Sequence, residues 1–373
     1  MEEHESWNVL TESKFPEYVS KDVGVFASGI LYKRLGKNEY MLNQRNRAAD
    51  VNTKPVLFWL GTNTCDGHII SLLNASNPPF RDLLENSFQF YYASFLMPAE
   101  GAFAVNIWSI VEELPFILVV EGTVSTLFNG HTTVVGMENG EKITALSLVK
   151  RLGARAAHVI AVGTCACYGG PYAAHPNPTV ALPLRKVLNG RKVIHIPGCP
   201  VNPGWIYETL MHLKKRETIK LDFLGRPKSL YGKTVHQLCE RLPKYNESDF
   251  AQHPGEPGCM YLVGCKGPVT RADCPQRQWI DEQSGWPVGV NSPCIGCTTP
   301  EFPDGVSPFF KRQTDVIVAS KIINLKNIKT GIYYVTAGGI GGHLAGHFLT
   351  GRISTRIVRD IKSFLKKNLF KKR

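Results

Sequence analysis

The chain has 373 residues, enough for one to three domains with a buried core, and its 43% hydrophobic and 20% charged residues are typical of a soluble globular protein. Lysine and arginine number 43 against 31 acidic residues, for a formal charge of +12. The surplus is uneven, with a densely basic stretch at 362–373, so we do not interpret it as a nucleic-acid signal. Met1–Asp22 is acidic and lacks an apolar run, which predicts no export leader and a location in the cytoplasm or at the cell membrane.

The predicted elements begin after a polar stretch, residues 1–54, to which we assign no function. Apolar runs and helical periodicity then alternate along the chain. The predicted strands are Val56–Leu60, Phe116–Glu121, His158–Val162 and Lys192–Ile196, and the predicted helices are His68–Ala75, Ala145–Ala156 and Trp205–Leu213. Strands alternating with helices predict a doubly wound parallel sheet.

Three cysteines follow predicted strands in this half of the chain. Cys65, Cys165 and Cys199 each come just past the carboxyl end of a strand and before the next helix. In an open parallel sheet those ends converge on one crevice, where ligands bind. Free cysteines are often buried core residues, but these three lie in Gly/Pro-containing loops rather than in apolar runs. We therefore favour a shared metal site over three structural thiols.

The composition and periodicity of the sequence change after residue 215. Periodic apolar segments thin out, and six of the ten cysteines lie between Cys239 and Cys297. A segment with little apolar core and many thiols is usually held together by metal. We place a domain boundary near 215–230.

A histidine and three cysteines form one candidate ligand set in this region. His236 and Cys239 are three residues apart in a predicted short helix, which puts both side chains on one face. Cys259 and Cys265 follow downstream. Zinc also uses such a set, and from the residues alone it remains a competitor to an iron–sulfur cluster.

A second set contains Cys274 and the C-x-x-C pair Cys294 and Cys297. Pro287 stands where a fourth ligand would be expected. Structural zinc prefers four protein ligands, whereas three thiolates suit a 3Fe-4S cluster, so zinc is disfavoured here.

Seven stretches occur in a specific order between Val56 and Phe310: VLFWLGTNTCDG, FILVVEG, VGTCACYGG, IPGCPVNP, HQLC, GCMYLVGCKGPVT and PCIGCTTPEFPD. In their joint order and spacing they resemble the small subunit of nickel–iron hydrogenases. The resemblance implies an electron-carrying subunit that takes electrons, one at a time, from hydrogen split heterolytically in a separate large subunit. Because the catalytic metals belong to that partner, this chain is expected to hold no nickel.

The resemblance also implies two 4Fe-4S clusters and one 3Fe-4S cluster in a row. The expected ligands are Cys65, Cys165 and Cys199 for the proximal 4Fe-4S cluster, Cys274, Cys294 and Cys297 for the medial 3Fe-4S cluster, and His236, Cys239, Cys259 and Cys265 for the distal 4Fe-4S cluster. The distal cluster is expected to serve an external acceptor, such as a cytochrome b or another membrane electron carrier.

The fourth proximal ligand departs from the family pattern. The family usually has a second cysteine three residues after the first, whereas here His68 occupies that position. Imidazole can ligate cluster iron, so His68 is our first candidate, with Asp66 and Cys167 as alternatives. Oxygen-tolerant relatives carry two extra cysteines around this cluster, and the matching positions here are Gly67 and Gly170. That device is therefore absent.

The expected architecture is α/β, with a flavodoxin-like doubly wound domain followed by a smaller, irregular cysteine-rich domain. We assign 1–54 to an N-terminal extension, 55–220 to the flavodoxin-like domain, 221–310 to the medial and distal clusters, and 311–373 to a basic C-terminal extension. Glu121, at a strand end near the proximal loops, either faces the partner or is an ordinary strand-end charge.

The segment Gly331–Gly351 has 21 residues without Lys, Arg, Asp or Glu, a length that can span a bilayer. It resembles the C-terminal anchor of membrane-bound family members, in which a histidine contributes to a haem site; His343 or His347 would be the candidate here. The alternative is an amphipathic or partner-docking helix.

Three other functions compete with the hydrogenase interpretation. The cluster-bearing subunit of respiratory complex I shares the first domain but lacks the later cysteine-rich one. A freestanding ferredoxin-like carrier would not need the flavodoxin-like half. A zinc-stabilised nucleic-acid binder would be colourless, whereas iron–sulfur proteins are brown.

Overall fold

The structure is a computed structural model. It describes strands at 7–10, 32–34 and 40–43 and residues 54–96, 101–278 and 285–312. Most of the N-terminal extension and the segment Gly331–Gly351, with its predicted membrane association, lie outside the described residues.

A five-stranded parallel sheet forms the centre of the first half. Its strands are β1 (Val56–Gly61), β2 (Gln89–Ala93), β3 (Phe116–Glu121), β4 (His158–Val162) and β5 (Ile194–Ile196), in the spatial order β5-β4-β3-β1-β2. All neighbouring pairs are parallel, which confirms the predicted α/β sheet. The last predicted strand begins at Ile194 rather than Lys192, and β2 was not predicted.

Helices cover both faces of this sheet. They are α1 (Gly67–Leu73), α2 (Gly101–Glu112), α3 (Ala145–Arg155), α4 (Gly163–Tyr168) and α5 (Pro203–Lys214). Leu57 and Trp59 of β1 point to one face, where they share a buried core with Trp205 of α5. The alternate residue Phe58 points to the other face and shares its core with Trp108 of α2. The apolar runs are thus buried on both sides, as parallel strands require.

Among the described residues, smaller elements form three further sheets. The strands at Trp7–Leu10, Tyr32–Arg34 and Tyr40–Asn43 form an antiparallel sheet, Val124–Ser125 pairs with Ala181–Leu182, and Val134–Glu138 pairs with Glu141–Thr144. Short helical turns lie at Phe80–Asp82, Leu83–Ser87, Leu127–Gly130, Gly170–Ala173 and Leu184–Val187.

The described residues between α5 and residue 312 form mainly turns and short helices. The helices are Lys228–Tyr231, Val235–Leu238, Leu242–Asn246, Met260–Val263 and Cys274–Arg277. Buried side chains of this region, among them Tyr231, Met260 and Trp286, belong to the same core as the first face of the sheet. The cysteine-rich segment is therefore packed against the parallel sheet.

Within the stretches of chain that the structure describes, no helix combines the length and apolar character needed to cross a bilayer.

Candidate metal centres

The register of the sheet aligns the carboxyl ends of the central strands. Gly61 lies opposite Glu121, Glu121 lies opposite Val162, and Val162 lies opposite Ile196. Cys65, Cys165 and Cys199 follow three of these ends by three or four residues. The predicted convergence at one edge is therefore observed, although Cys165 lies in the first turn of α4 rather than in a loop.

The three thiols of this edge are close enough to influence one another. The pKa of Cys165 is raised to about 12, mainly by burial, and the neighbouring negative charges of Cys199 and Cys65 contribute to that rise. Two glycines leave room beside the sulfurs: a Cβ at Gly170 would lie 2.9 Å from Cys165 Sγ, and one at Gly67 would lie 3.2 Å from Cys65 Sγ. The structure thus brings the predicted proximal cysteines together, and glycine at these two positions avoids a clash with their sulfurs.

Glu121 is buried inside the chain and holds the loop that carries Cys65. Its Oε1 accepts hydrogen bonds from Thr64 Oγ1 at 3.0 Å and from the His68 backbone N–H at 3.1 Å, and its Oε2 accepts one from Trp59 Nε1 at 3.0 Å. Burial raises the pKa of this carboxyl group, against the effect of the three donors. Glu121 is thus a positioning residue within the chain, a role that differs from both alternatives of our sequence analysis, a carboxylate facing the partner or an ordinary strand-end charge.

The imidazole of His68 is buried, with only 3% of the residue exposed. Its Nδ1 accepts a hydrogen bond from the Val201 backbone N–H at 3.1 Å. Its Nε2 lies against Gly163, where an added Cβ would approach within 1.8 Å. Burial lowers the pKa of His68 to about 4, so the ring is neutral at physiological pH.

The two alternative fourth ligands occupy different environments. Asp66 lies in the left-handed region with φ of 56°. Its negative charge, together with those of Cys65 and Cys165, adds to burial in raising the pKa of Tyr172, so all three groups lie near that side chain. Cys167 is buried in the core of the opposite face of the sheet, where its thiol donates to the Ala161 carbonyl oxygen at 3.3 Å.

The predicted medial cysteines also come together. Burial raises the pKa of Cys274 strongly, and the negative charges of Cys297 and Cys294 add to that effect. Cys274 begins a single-turn helix, and Gly296, with φ of +83°, provides the turn between Cys294 and Cys297. A left-handed turn of this kind favours glycine.

The predicted distal ligands line one small pocket. His236, Cys239, Cys259 and Cys265 all contribute to its wall. The helix that carries His236 is fixed by a capping box between Thr234 and Gln237, and Cys239 follows directly after it. Two backbone N–H groups point at sulfur: Arg241 donates to Cys239 Sγ and Gly267 donates to Cys265 Sγ, both at 3.4 Å.

The three groups are connected in a fixed order. The hydroxyl of Thr164, next to Cys165, donates to the carbonyl oxygen of Cys297. On the other side, the Lys266 N–H donates to the carbonyl oxygen of Cys294 at 2.7 Å. The group of Cys274, Cys294 and Cys297 is therefore linked by hydrogen bonds to the segments that carry both of the other groups.

The donor chemistry of all three groups fits iron–sulfur clusters. All ten cysteines are free thiols, and the groups offer thiolates and one imidazole, which are cluster ligands. Each ligand of a cluster binds its own iron atom, so cluster ligands need not converge on one point. Among the residues described, no three His, Cys, Asp or Glu side chains are arranged to hold a single metal ion.

Comparison with known proteins identifies the family. Over 276 residues the chain is 34% identical to the periplasmic NiFeSe hydrogenase small subunit of Desulfomicrobium baculatum, and the match covers 69% of this chain and 87% of that protein. The chain belongs to the nickel–iron hydrogenase small-subunit family. Residues 231–310 match the family model for the C-terminal part of the NiFe/NiFeSe hydrogenase small subunit, and residues 65–213 match that of the NADH ubiquinone oxidoreductase 20 Kd subunit.

Two further comparisons extend the match. The quinone-reactive Ni/Fe-hydrogenase small chain of Wolinella succinogenes is 31% identical over 312 residues, covering 80% of this chain and 87% of that protein. The solved structure of the H2-activated D. baculatum NiFeSe hydrogenase superimposes with a TM-score of 0.66 at 33% identity, covering 70% of this chain and 99% of that one. The fold of this hydrogenase small subunit is therefore the family fold.

Membership in the family confirms the main functional prediction. This hydrogenase small subunit carries iron–sulfur clusters, serves electron transfer and pairs with a large subunit that holds the nickel–iron site. The complex I alternative is less well supported, because the ubiquinone oxidoreductase model ends at residue 213 and the hydrogenase model accounts for 231–310.

The predicted location is wrong. We expected a cytoplasmic or membrane-associated protein because Met1–Asp22 lacks an apolar leader, whereas the D. baculatum relative is named as periplasmic. The inference failed because the composition of the first residues was taken as evidence of where the folded subunit resides.

Proposed function

We propose that this hydrogenase small subunit binds three clusters in a row and so forms a one-electron relay between its partner and an external acceptor. The proposed ligands are Cys65, Cys165 and Cys199 for a proximal 4Fe-4S cluster, Cys274, Cys294 and Cys297 for a medial 3Fe-4S cluster, and His236, Cys239, Cys259 and Cys265 for a distal 4Fe-4S cluster. When bound, such clusters supply reversible one-electron chemistry.

The observation that carries this proposal is the pair of hydrogen bonds that link the groups. The hydroxyl of Thr164 binds the Cys297 carbonyl oxygen, and the N–H of Lys266 binds the Cys294 carbonyl oxygen. These links support a medial group between the other two, as a relay requires.

The protein's part is to hold ligands in place and to tune their electronics. Buried thiols with raised pKa values are protonated in the free protein, so metal binding releases their protons. N–H donors to Cys239 and Cys265 then stabilise negative charge on sulfur.

We further propose that residues 55–220 form the proximal domain and 221–310 the medial and distal domain, flanked by extensions at 1–54 and 311–373.

We propose Asp66 as the fourth proximal ligand in preference to His68, which our sequence analysis ranked first. The Asp66 carboxylate lies near Tyr172, as Cys65 and Cys165 do, whereas the His68 ring is enclosed by Val201 and Gly163 with its Nδ1 already accepting a hydrogen bond. Cys167 lies in the core of the other face of the sheet.

Two conservative variants separate these candidates. Asp66→Asn is expected to change the spectrum of the proximal cluster, whereas His68→Gln, which keeps a polar group in the core, is expected to leave it nearly unchanged. The reverse pattern, measured in heterodimers with full iron content, would restore His68 as the ligand.

The acceptor is proposed to be a membrane electron carrier. The W. succinogenes relative is named as quinone-reactive, and the match to it covers 80% of this chain. Hydrogen-dependent reduction of a quinone by the purified heterodimer with its membrane partner tests this assignment.

One cysteine from each group tests the whole relay. The variants Cys199→Ala, Cys274→Ala and Cys265→Ala are each expected to remove or convert a different cluster signal in electron paramagnetic resonance (EPR) spectra of the intact heterodimer. If two of these variants affected one and the same signal, the grouping would be incorrect.

A further inference from the structure

One aromatic ring packs on the predicted distal ligand His236, and two further rings pack on that one. The imidazole packs edge-to-face on Tyr245, with ring centroids 4.7 Å apart and an angle of 82° between the ring planes. Tyr245 in turn packs at right angles on Phe250 at 5.7 Å and on Tyr261 at 5.3 Å. The histidine is thus one member of a fixed aromatic cluster.

The rings of this cluster come from the backbone segments that carry the distal thiols. Tyr245 lies on the helix Leu242–Asn246, whose first N–H bonds the Cys239 carbonyl oxygen at 3.0 Å. Phe250 and Tyr261 flank Cys259, and the backbone of Cys259 hydrogen-bonds to the segment next to Phe250: Ala251 N–H donates to its carbonyl oxygen at 3.0 Å. The aromatic cluster and the thiols are therefore parts of one local structure.

The imidazole needs such support more than the thiols do. A cysteine sulfur is placed by a single side-chain torsion, whereas the plane of a histidine ring depends on a second torsion that has no sharp minima. His236 is also only half-buried. Aromatic pairs prefer an edge-to-face arrangement because the positive edge of one ring meets the negative face of the other. Tyr245 supplies this constraint on the ring plane.

We propose that Tyr245 is a positioning residue for the distal site, holding the His236 imidazole in the orientation in which it ligates iron. The proposal rests on the proposed distal ligand set. It assigns the effect to the aromatic ring and not to the hydroxyl group, so phenylalanine should substitute for Tyr245 and leucine should not.

The experiment uses the heterodimer with Tyr245→Leu, Tyr245→Phe and, as control, Phe223→Leu, which removes an aromatic ring that is 84% exposed in another part of the chain. The readouts are the EPR signal and midpoint potential of the distal cluster and the rate at which iron is lost to a chelator. Tyr245→Leu is expected to alter the signal and to speed iron loss about 2- to 12-fold. Tyr245→Phe and Phe223→Leu are expected to match the unaltered protein.

Two results would overturn the positioning role. Either the distal signal and iron loss stay unchanged in Tyr245→Leu, or Tyr245→Phe changes them as much as Tyr245→Leu does. The variant His236→Ala separates this failure from that of the ligand set. If His236→Ala changes the distal signal and Tyr245→Leu does not, only the positioning role of Tyr245 is wrong. If His236→Ala changes nothing, the assignment of His236 as a ligand is wrong, and so is the positioning role inferred from it.

Discussion

The backbone N–H of Lys266 donates a hydrogen bond to the carbonyl oxygen of Cys294 at 2.7 Å. Lys266 follows the predicted distal ligand Cys265, so this single bond joins the distal group to the medial one. The burial of Cys294 raises the pKa of its thiol, and the negative charge of Cys265 is the largest charge effect upon it. The two groups are therefore close enough to influence each other electrostatically, as neighbouring clusters in an electron relay must be.

The medial group is expected to be essential for electron transfer to an external acceptor but not for the splitting of hydrogen in the large subunit. Cys274→Ala removes a buried thiolate from a set of only three and should abolish the medial EPR signal. Hydrogen-dependent dye reduction should fall at least about tenfold, a change of roughly 1.4 kcal/mol in the barrier. Hydrogen–deuterium exchange should persist, since the large subunit holds the nickel–iron site. Normal dye reduction in a variant that lacks the medial signal would contradict the relay.

Cys167 is expected to be the one cysteine that can be lost without loss of iron. Its thiol donates to the Ala161 carbonyl oxygen inside the core of the second face. Cys167→Ala should retain the full iron content and should lower the free energy of unfolding by about 1 kcal/mol, as for the loss of one hydrogen bond. Iron analysis with thermal unfolding checks both expectations. A loss of iron comparable to that of Cys274→Ala would make Cys167 a ligand.

Arg241 is expected to raise the reduction potential of the distal site. Its guanidinium donates to the Gly258 carbonyl oxygen at 2.9 Å. Burial raises the pKa of Cys239 and Cys259, and the positive charge of Arg241 opposes that rise. Removing the charge destabilises the more negative, reduced state. Arg241→Gln should therefore lower the distal midpoint potential by about 40 mV, which corresponds to about 1 kcal/mol for one electron.

A redox titration followed by EPR measures this shift. Lys244→Gln is the matched control, because Lys244 lies on the same segment and pairs with Asp249 at 3.4 Å. The control should leave the distal potential within a few millivolts of the original. An equal shift in both variants would assign the effect to general surface charge.

His195 is expected to make the protein sensitive to acid. It is buried on β5 against the ring of Tyr168, and burial lowers its pKa to about 4 from an ordinary value of 6.5. As the pH falls below 6.5, His195 becomes protonated in the unfolded chain but stays neutral in the folded chain. Stability is therefore complete above pH 6.5 and is lost towards pH 4, by about 1.4 kcal/mol per pH unit.

The replacement His195→Phe keeps a ring against Tyr168 and removes the titration. The drop in unfolding temperature between pH 7.5 and pH 5 should be smaller in this variant than in the unaltered heterodimer. His68, whose pKa burial also lowers, retains part of the acid sensitivity in both proteins. An identical drop in the two would show that His195 does not contribute.

Sequence patterns predicted the sheet where a strand contains a continuous apolar run. Phe116–Glu121 and His158–Val162 were predicted to the residue, because burial on both faces leaves a continuous apolar run. The edge strand Gln89–Ala93 was missed because its first residue is polar and two of the others are tyrosines. Its burial follows from packing, such as the stacking of Tyr92 on Phe58 at 4.5 Å, which no local pattern encodes.

The sequence predicted which cysteines share a candidate site better than it predicted the surroundings of each side chain. Cysteines at strand ends, such as Cys65 and Cys199, follow from topology alone. The placement of His68 did not, because its position three residues after Cys65 says nothing of the Val201 N–H and the Gly163 backbone that enclose its ring. Those contacts come from parts of the chain about 95 and 133 residues away, which only the fold brings together.

The central claim is that the grouped thiols and one imidazole hold three iron–sulfur clusters, and iron and labile-sulfide analysis of the purified heterodimer tests it most directly. After the contribution of the large subunit is subtracted, we expect about eleven iron atoms in this chain, those of two 4Fe-4S clusters and one 3Fe-4S cluster. A folded, anaerobically prepared heterodimer whose small subunit contains neither iron nor labile sulfide would contradict it.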